Sequence, residues 1–69
     1  MKITEYKPGI AINVVVGDSI TIVSGISLSG IRMSNFINGD GKKIYYIVVK
    51  IMQSNGIINW WALSSVHKI

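Results

Sequence analysis

The sequence predicts an all-β domain, a small antiparallel barrel of five or six strands. Three observations predict it. Isoleucine and valine fill 21 of the 69 positions, while leucine and alanine together fill four. Ile and Val are stiff at χ1 and fit a pleated surface better than a helical turn, whereas Leu and Ala are the best apolar helix formers. No stretch of ten residues shows helical periodicity, and turn residues recur at close spacing. Strands this numerous in so short a chain are expected to curl and close, which also removes exposed edges.

The elements follow in order. Lys2 to Pro8 reads as a leader, and Pro8-Gly9 as a break, so residues 1–9 stand before a single domain. Ile10 to Val16 alternates, with Ile10, Ile12, Val14 and Val16 on one face. Gly17-Asp18 is a two-residue turn, so the strand from Ile20 to Ser24-Gly25 returns antiparallel. Ile26-Ser-Leu-Ser-Gly30 alternates with its apolar residues inward and its serines outward. The phase changes after Gly30, which predicts a bulge or sharp bend before Ile31 to Phe36. Asn38-Gly-Asp-Gly41 and Asn55-Gly56 are hairpin turns flanking a long strand, Ile44 to Met52. Ile57 to Leu63 pairs back onto that strand, and Ser65 to Ile69 forms a last short one.

The faces of the last hairpin are assigned by burying the apolar row. Tyr45, Ile47, Val49 and Ile51 are placed inward, with Tyr46 and Lys50 outward, because lysine is almost never buried unpaired. On the partner strand Asn59 is placed on the wetter face with Trp61 and Leu63, which turns Ile58, Trp60 and Ala62 inward.

A chain of this length buries a modest core, and small folds usually add a disulfide, a metal or a partner subunit. Cysteine is absent, so disulfides and thiolate metal sites are excluded, and the single histidine, His67, cannot build a zinc site alone. Self-association is therefore the expected stabiliser, and the 49% apolar content fits it. The N-terminus is no signal peptide, and the longest apolar run, Ile44 to Val49, is far too short for a membrane span of roughly 20 residues. A cytoplasmic protein without membrane or cofactor is expected.

Net charge is +4, and it is uneven. Up to residue 40, Lys2, Lys7 and Arg32 balance Glu5, Asp18 and Asp40. Residues 41–69 carry Lys42, Lys43, Lys50 and Lys68 and no carboxylate. A basic half suits a polyanion. Aromatic rings beside cations on a sheet hold single-stranded nucleic acid, the bases on the rings and the phosphates on the cations. The candidate binding residues are Arg32, Phe36, Lys42, Lys43, Tyr46, Lys50 and Trp61. The same aromatics also suit a subunit interface.

Catalysis is not expected. Asp18 and Asp40 sit beside glycine in turns, Glu5 lies in the leader and His67 is close to the end. Gly39-Asp-Gly41-Lys42-Lys43 lacks the spacing and following helix of a phosphate-binding loop. Two function classes remain: a non-catalytic module binding single-stranded RNA or DNA as a homo-oligomer, and a protein-interaction module such as a small virus- or mobile-element-encoded inhibitor or structural subunit.

Residues 20–66 resemble an Sm-like protein of the bacterial Hfq type. The segment Ile20-Thr-Ile-Val-Ser-Gly25-Ile-Ser-Leu-Ser-Gly30 resembles that family's first two strands, Tyr45 to Lys50 its long third strand, and Ala62-Leu-Ser-Ser-Val66 its closing Ala-Ile-Ser-Thr-Val. The resemblance implies an Sm-like barrel, an oligomeric ring and RNA binding, with Phe36 in the place of a stacking phenylalanine. The chain departs from the family at the N-terminus, where Ile10 to Val16 reads as strand and the family has a helix. It departs again at Asn59, Trp60 and Trp61, where the family carries Tyr-Lys-His around its pore. Trp60-Trp61-Ala-Leu63 also resembles the Trp-Trp strand of SH3-like barrels, without their acidic specificity loop. A five-stranded oligonucleotide-binding barrel is the alternative.

Overall fold

The computed structural model describes residues 1–17 and 21–69. Five strands form one antiparallel sheet: β1 (Ala11–Val16), β2 (Thr21–Ile37), β3 (Lys43–Gln53), β4 (Ile58–Ala62) and β5 (Val66–Lys68). Short 3₁₀ turns precede β1 at Ile3–Glu5 and join β4 to β5 at Leu63–Ser65. The predicted turn at Gly17-Asp18 and the strand start at Ile20 fall on residues 18–20, outside the described residues.

The strand order is β4-β3-β2-β1-β5, and the sheet is open. The expected closed barrel is therefore overturned, and with it the SH3-like, Sm-like and Hfq-type assignment and the oligonucleotide-binding alternative. Closure needs hydrogen bonds between the two end strands. Among the described residues β4 pairs only with β3, over Val48↔Ala62 to Met52↔Ile58, and the three-residue β5 only with β1, over Ile12↔Lys68 to Val14↔Val66. A single 3₁₀ turn joins these strands in sequence without laddering them together.

The sheet buries one face by folding across β2. Ile12 and Val14 of β1 share a core with Val49 and Ile51 of β3, although β2 lies between them. Tyr6, Leu63 and Val66 complete it, and Trp61 and Ile47 pack against it. The middle strand allows this because two of its inward positions, between Val23 and Ile31, are small. Gly25 lies opposite Gln53 and Ser27 opposite Ile51. A Cβ on Gly25 would stand 2.5 Å from the Met52 carbonyl oxygen, closer than any real contact.

Ser27 corrects the alternation predicted for 26–30. It points inward and is 1% exposed, while Ile26 is 46% exposed. The reason is the chain crossing above it. Ser27 Oγ accepts the Ile10 N–H at 3.0 Å and donates to the Lys7 carbonyl. The Gly9 N–H donates to the Ser27 carbonyl at 2.7 Å, and the Ser27 N–H to that of Ile10 at 3.0 Å. A buried hydroxyl is tolerated because it is fully bonded.

The bend predicted near Gly30 is present, inside one continuous strand. Pairing runs to Ser27↔Ile51 and resumes at Ile31↔Val49, so β2 advances four residues while β3 advances two. Tyr6 holds the extra length in place. Its hydroxyl lies 2.7 Å from the Leu28 carbonyl oxygen and 3.0 Å from that of Lys50, so one proton is shared between carbonyls of both strands. The segment read as a leader thus contributes a core residue, 8% exposed.

Tyr6→Phe should lower stability by about 1–3 kcal/mol in urea melts, because two carbonyls lose their donor. Burial raises the Tyr6 pKa above its ordinary value. The unfolded chain therefore ionises first. The contribution of Tyr6 is complete below a pH of about 10 and is lost as pH rises through the folded pKa. Melts at increasing alkaline pH should show that loss in the native chain and not in Tyr6→Phe.

Candidate nucleic-acid interface

Residues directly opposite in an antiparallel pair share a face. Val49↔Trp61 places Trp61 on the inner face, and Lys50↔Trp60 places Trp60 on the outer one. The predicted assignment of the two tryptophans is inverted. It rested on Asn59 marking the wet face. Asn59 lies opposite the buried Ile51, yet is itself exposed, because β4 is an edge strand and its start projects past the core. Polarity reports the face poorly at a sheet edge. Trp61 is therefore withdrawn from the predicted binding surface. Its indole Nε1 is buried without an acceptor among the described residues.

The outer face assembles four of the other candidates. Arg32 lies opposite Val48, Ser34 opposite Tyr46 and Phe36 opposite Ile44, so Arg32, Phe36, Tyr46 and Lys50 point to one side. The Arg32 guanidinium carbon sits 4.2 Å from the centroid of the Trp60 ring, a cation–π contact. Further along the same face, Phe36 and Tyr46 meet edge to face, their centroids 5.8 Å apart at 61°. Gly30 makes room for the first pair: a Cβ there would lie 2.9 Å from Lys50 Cβ and 3.1 Å from the Trp60 ring edge. The face thus carries two cations, Lys50 and Arg32, with Trp60 of β4 against Arg32, and then two rings, Tyr46 and Phe36, along the β2–β3 pair. Neither described carboxylate lies on a strand; Glu5 is in the first 3₁₀ turn and Asp40 in the hairpin turn.

Lys42 and Lys43 do not join this group. They sit at the tip of the β2–β3 hairpin, where Asn38 Oδ1 accepts the N–H groups of Asp40 and Lys42, each at 3.0 Å. Lys43 pairs with Ile37 and belongs by register to the opposite face. The second turn forms as predicted, with Asn55 Oδ1 accepting the Ile57 N–H at 3.0 Å. Tyr45, placed inward from the sequence, has inner-face register but is 61% exposed, because the core ends before it. Trp60 is the functional candidate the sequence reading missed. The loop decides it: Gln53 and Ile57 flank a three-residue loop, with the Gln53 N–H donating to the Ile57 carbonyl at 2.8 Å, which sets Trp60 opposite Lys50, whereas a two-residue Asn55-Gly56 turn would set Trp61 there.

No protein-family model, curated protein or solved structure matches this chain. The outer face is thus interpreted from its own chemistry. No helix among the described residues is long and apolar enough to cross a membrane.

The inverted faces give opposite mutational outcomes. Trp61→Ala should cost roughly 3–5 kcal/mol, as emptying an aromatic site in a core does. Trp61→Phe should be far milder, since it keeps a ring and removes the orphaned donor. Trp60→Ala should lose the Arg32 contact, about 0.5–1 kcal/mol, and some packing over Gly30, and leave the chain folded. Urea melts of the three variants check this.

Proposed function

We propose that the outer face binds single-stranded nucleic acid without catalysis. The arrangement of Arg32 on Trp60 beside Lys50 carries this reading. Bases stack on aromatic rings and on guanidinium planes, and lysine meets phosphate. Phe36 and Tyr46 extend the stacking row, and Lys42 and Lys43 lie at its end, where a bound strand would leave the sheet. The carboxylate-free sequence from residue 41 onward adds long-range attraction for a polyanion. RNA and DNA are both compatible with rings and cations that read no base edge. Use of this face inside the cytoplasm fits a chain without cysteine.

A fluorescence titration with a labelled oligouridine and a labelled oligothymidine, at several salt concentrations, tests the reading. Lys50→Ala should weaken binding and reduce the slope of log K against log salt by about one. Trp60→Ala and Tyr46→Ala should each weaken binding by roughly 1–3 kcal/mol and leave the slope nearly unchanged. Absence of binding at low salt, or binding indifferent to all three substitutions, would defeat the proposal. The outer face would then be left to a protein partner.

A further inference from the structure

The β2–β3 hairpin outruns the rest of the sheet. Pairing of β1 to β2 ends at Ala11↔Ile26, and pairing of β4 to β3 ends at Val48↔Ala62. The five pairs from Met33↔Ile47 to Ile37↔Lys43 therefore form a two-stranded ribbon with no sheet neighbour on either side among the described residues. An isolated ribbon of this kind is marginal in water. This one is also apolar on both faces. Met33, Ile37 and Tyr45 share one face at 62%, 59% and 61% exposure. Phe36 and Ile44 on the other are 52% and 38% exposed. On its inner side, Met33, Tyr45 and Ile47 meet Met1 and Leu63 around an open groove of about 480 Å³.

We propose that the inner face of this ribbon is a homodimer interface, covered by the same face of a second copy of the chain, with Phe36 and Tyr46 left free on the outer side. Area is the first reason. Tyr45, Met33 and Ile37, each about three-fifths exposed, leave several hundred Å² of apolar surface on the inner face. That is the size of the largest patch on a typical monomer, roughly 300–600 Å² and often functional, and it supplies about half of the ~800 Å² each partner gives to a standard interface. Charge is the second reason. Lys43, opposite Ile37 at the tip, is the one charged residue of these five pairs, and Met33 to Gly39 and Ile44 to Val49 carry none in a chain of net charge +4. A different partner selected by charge would meet the lysines, whereas an uncharged apolar patch is complementary to itself, which is what a two-fold interface requires. The open flanks of the ribbon add unpaired backbone groups that a second ribbon can satisfy.

The absence of cysteine makes the test direct, because an introduced thiol has no competitor. Sedimentation equilibrium at about 100 micromolar, where even a weak homodimer is populated, should show a dimer. Tyr45→Lys should weaken that association about tenfold or more, as disrupting an interface anchor does. Under mild oxidation, Tyr45→Cys and Ile37→Cys should form disulfide-linked dimers, and Asn59→Cys and Thr4→Cys, away from the ribbon, should stay monomeric on gels. A monomer at that concentration would overturn the proposal. So would association unchanged by Tyr45→Lys, or cross-linking at Asn59→Cys and Thr4→Cys but not on the ribbon. Nucleic-acid binding through Trp60 and Lys50 is read separately, and its failure leaves this interface standing.

Discussion

The fold depends on small residues in the middle strand and on the tyrosine that clamps its irregularity. Gly25 and Ser27 leave the centre of β2 low, so the Ile and Val side chains of β1 and β3 meet over it. Larger side chains there would hold the outer strands apart and leave a flat, two-sided sheet with no core. The extra length of β2 between Ser27 and Ile31 bends the strand, and the Tyr6 hydroxyl ties the bend to Lys50 across the ladder. Gly30, at the same bend, lets Trp60 lie over β2. Core and candidate site are thus built from the same few residues.

Much of this was legible in the chain. The Ile/Val excess and the Asn-Gly turns identify an all-β chain with two hairpins, and the phase change at Gly30 marks the bulge. Three features were not legible. Closure of the sheet depends on whether β4 and β5 pair, and short end strands carry no sequence mark of pairing. Ser27 reads as solvent-facing by alternation, because a serine buried by a crossing segment looks like any other serine. Tyr6 sits in a polar stretch, and only the fold shows that its ring enters the core.

The candidate site was half legible. Arg32, Phe36, Tyr46 and Lys50 were selected for their chemistry, and the register brings them to one face. The tryptophans were exchanged because one polar neighbour, Asn59, decided their face. Strand alternation is strict, but burial also needs something to cover the residue, and the core stops short of Asn59 and of Tyr45. Those same shortfalls define the molecule's exposed surfaces: an edge strand at one side and an apolar ribbon at one end.

The division of the two tryptophans between core and outer face is the claim on which the functional reading rests. Single-tryptophan proteins test it most directly. With Trp61→Phe, the remaining Trp60 should be readily quenched by iodide and further quenched when oligouridine is added. With Trp60→Phe, the remaining Trp61 should emit from an apolar environment, resist iodide and ignore the oligonucleotide. The reverse pattern, with Trp61 accessible and responsive and Trp60 shielded, would contradict the assignment of both faces.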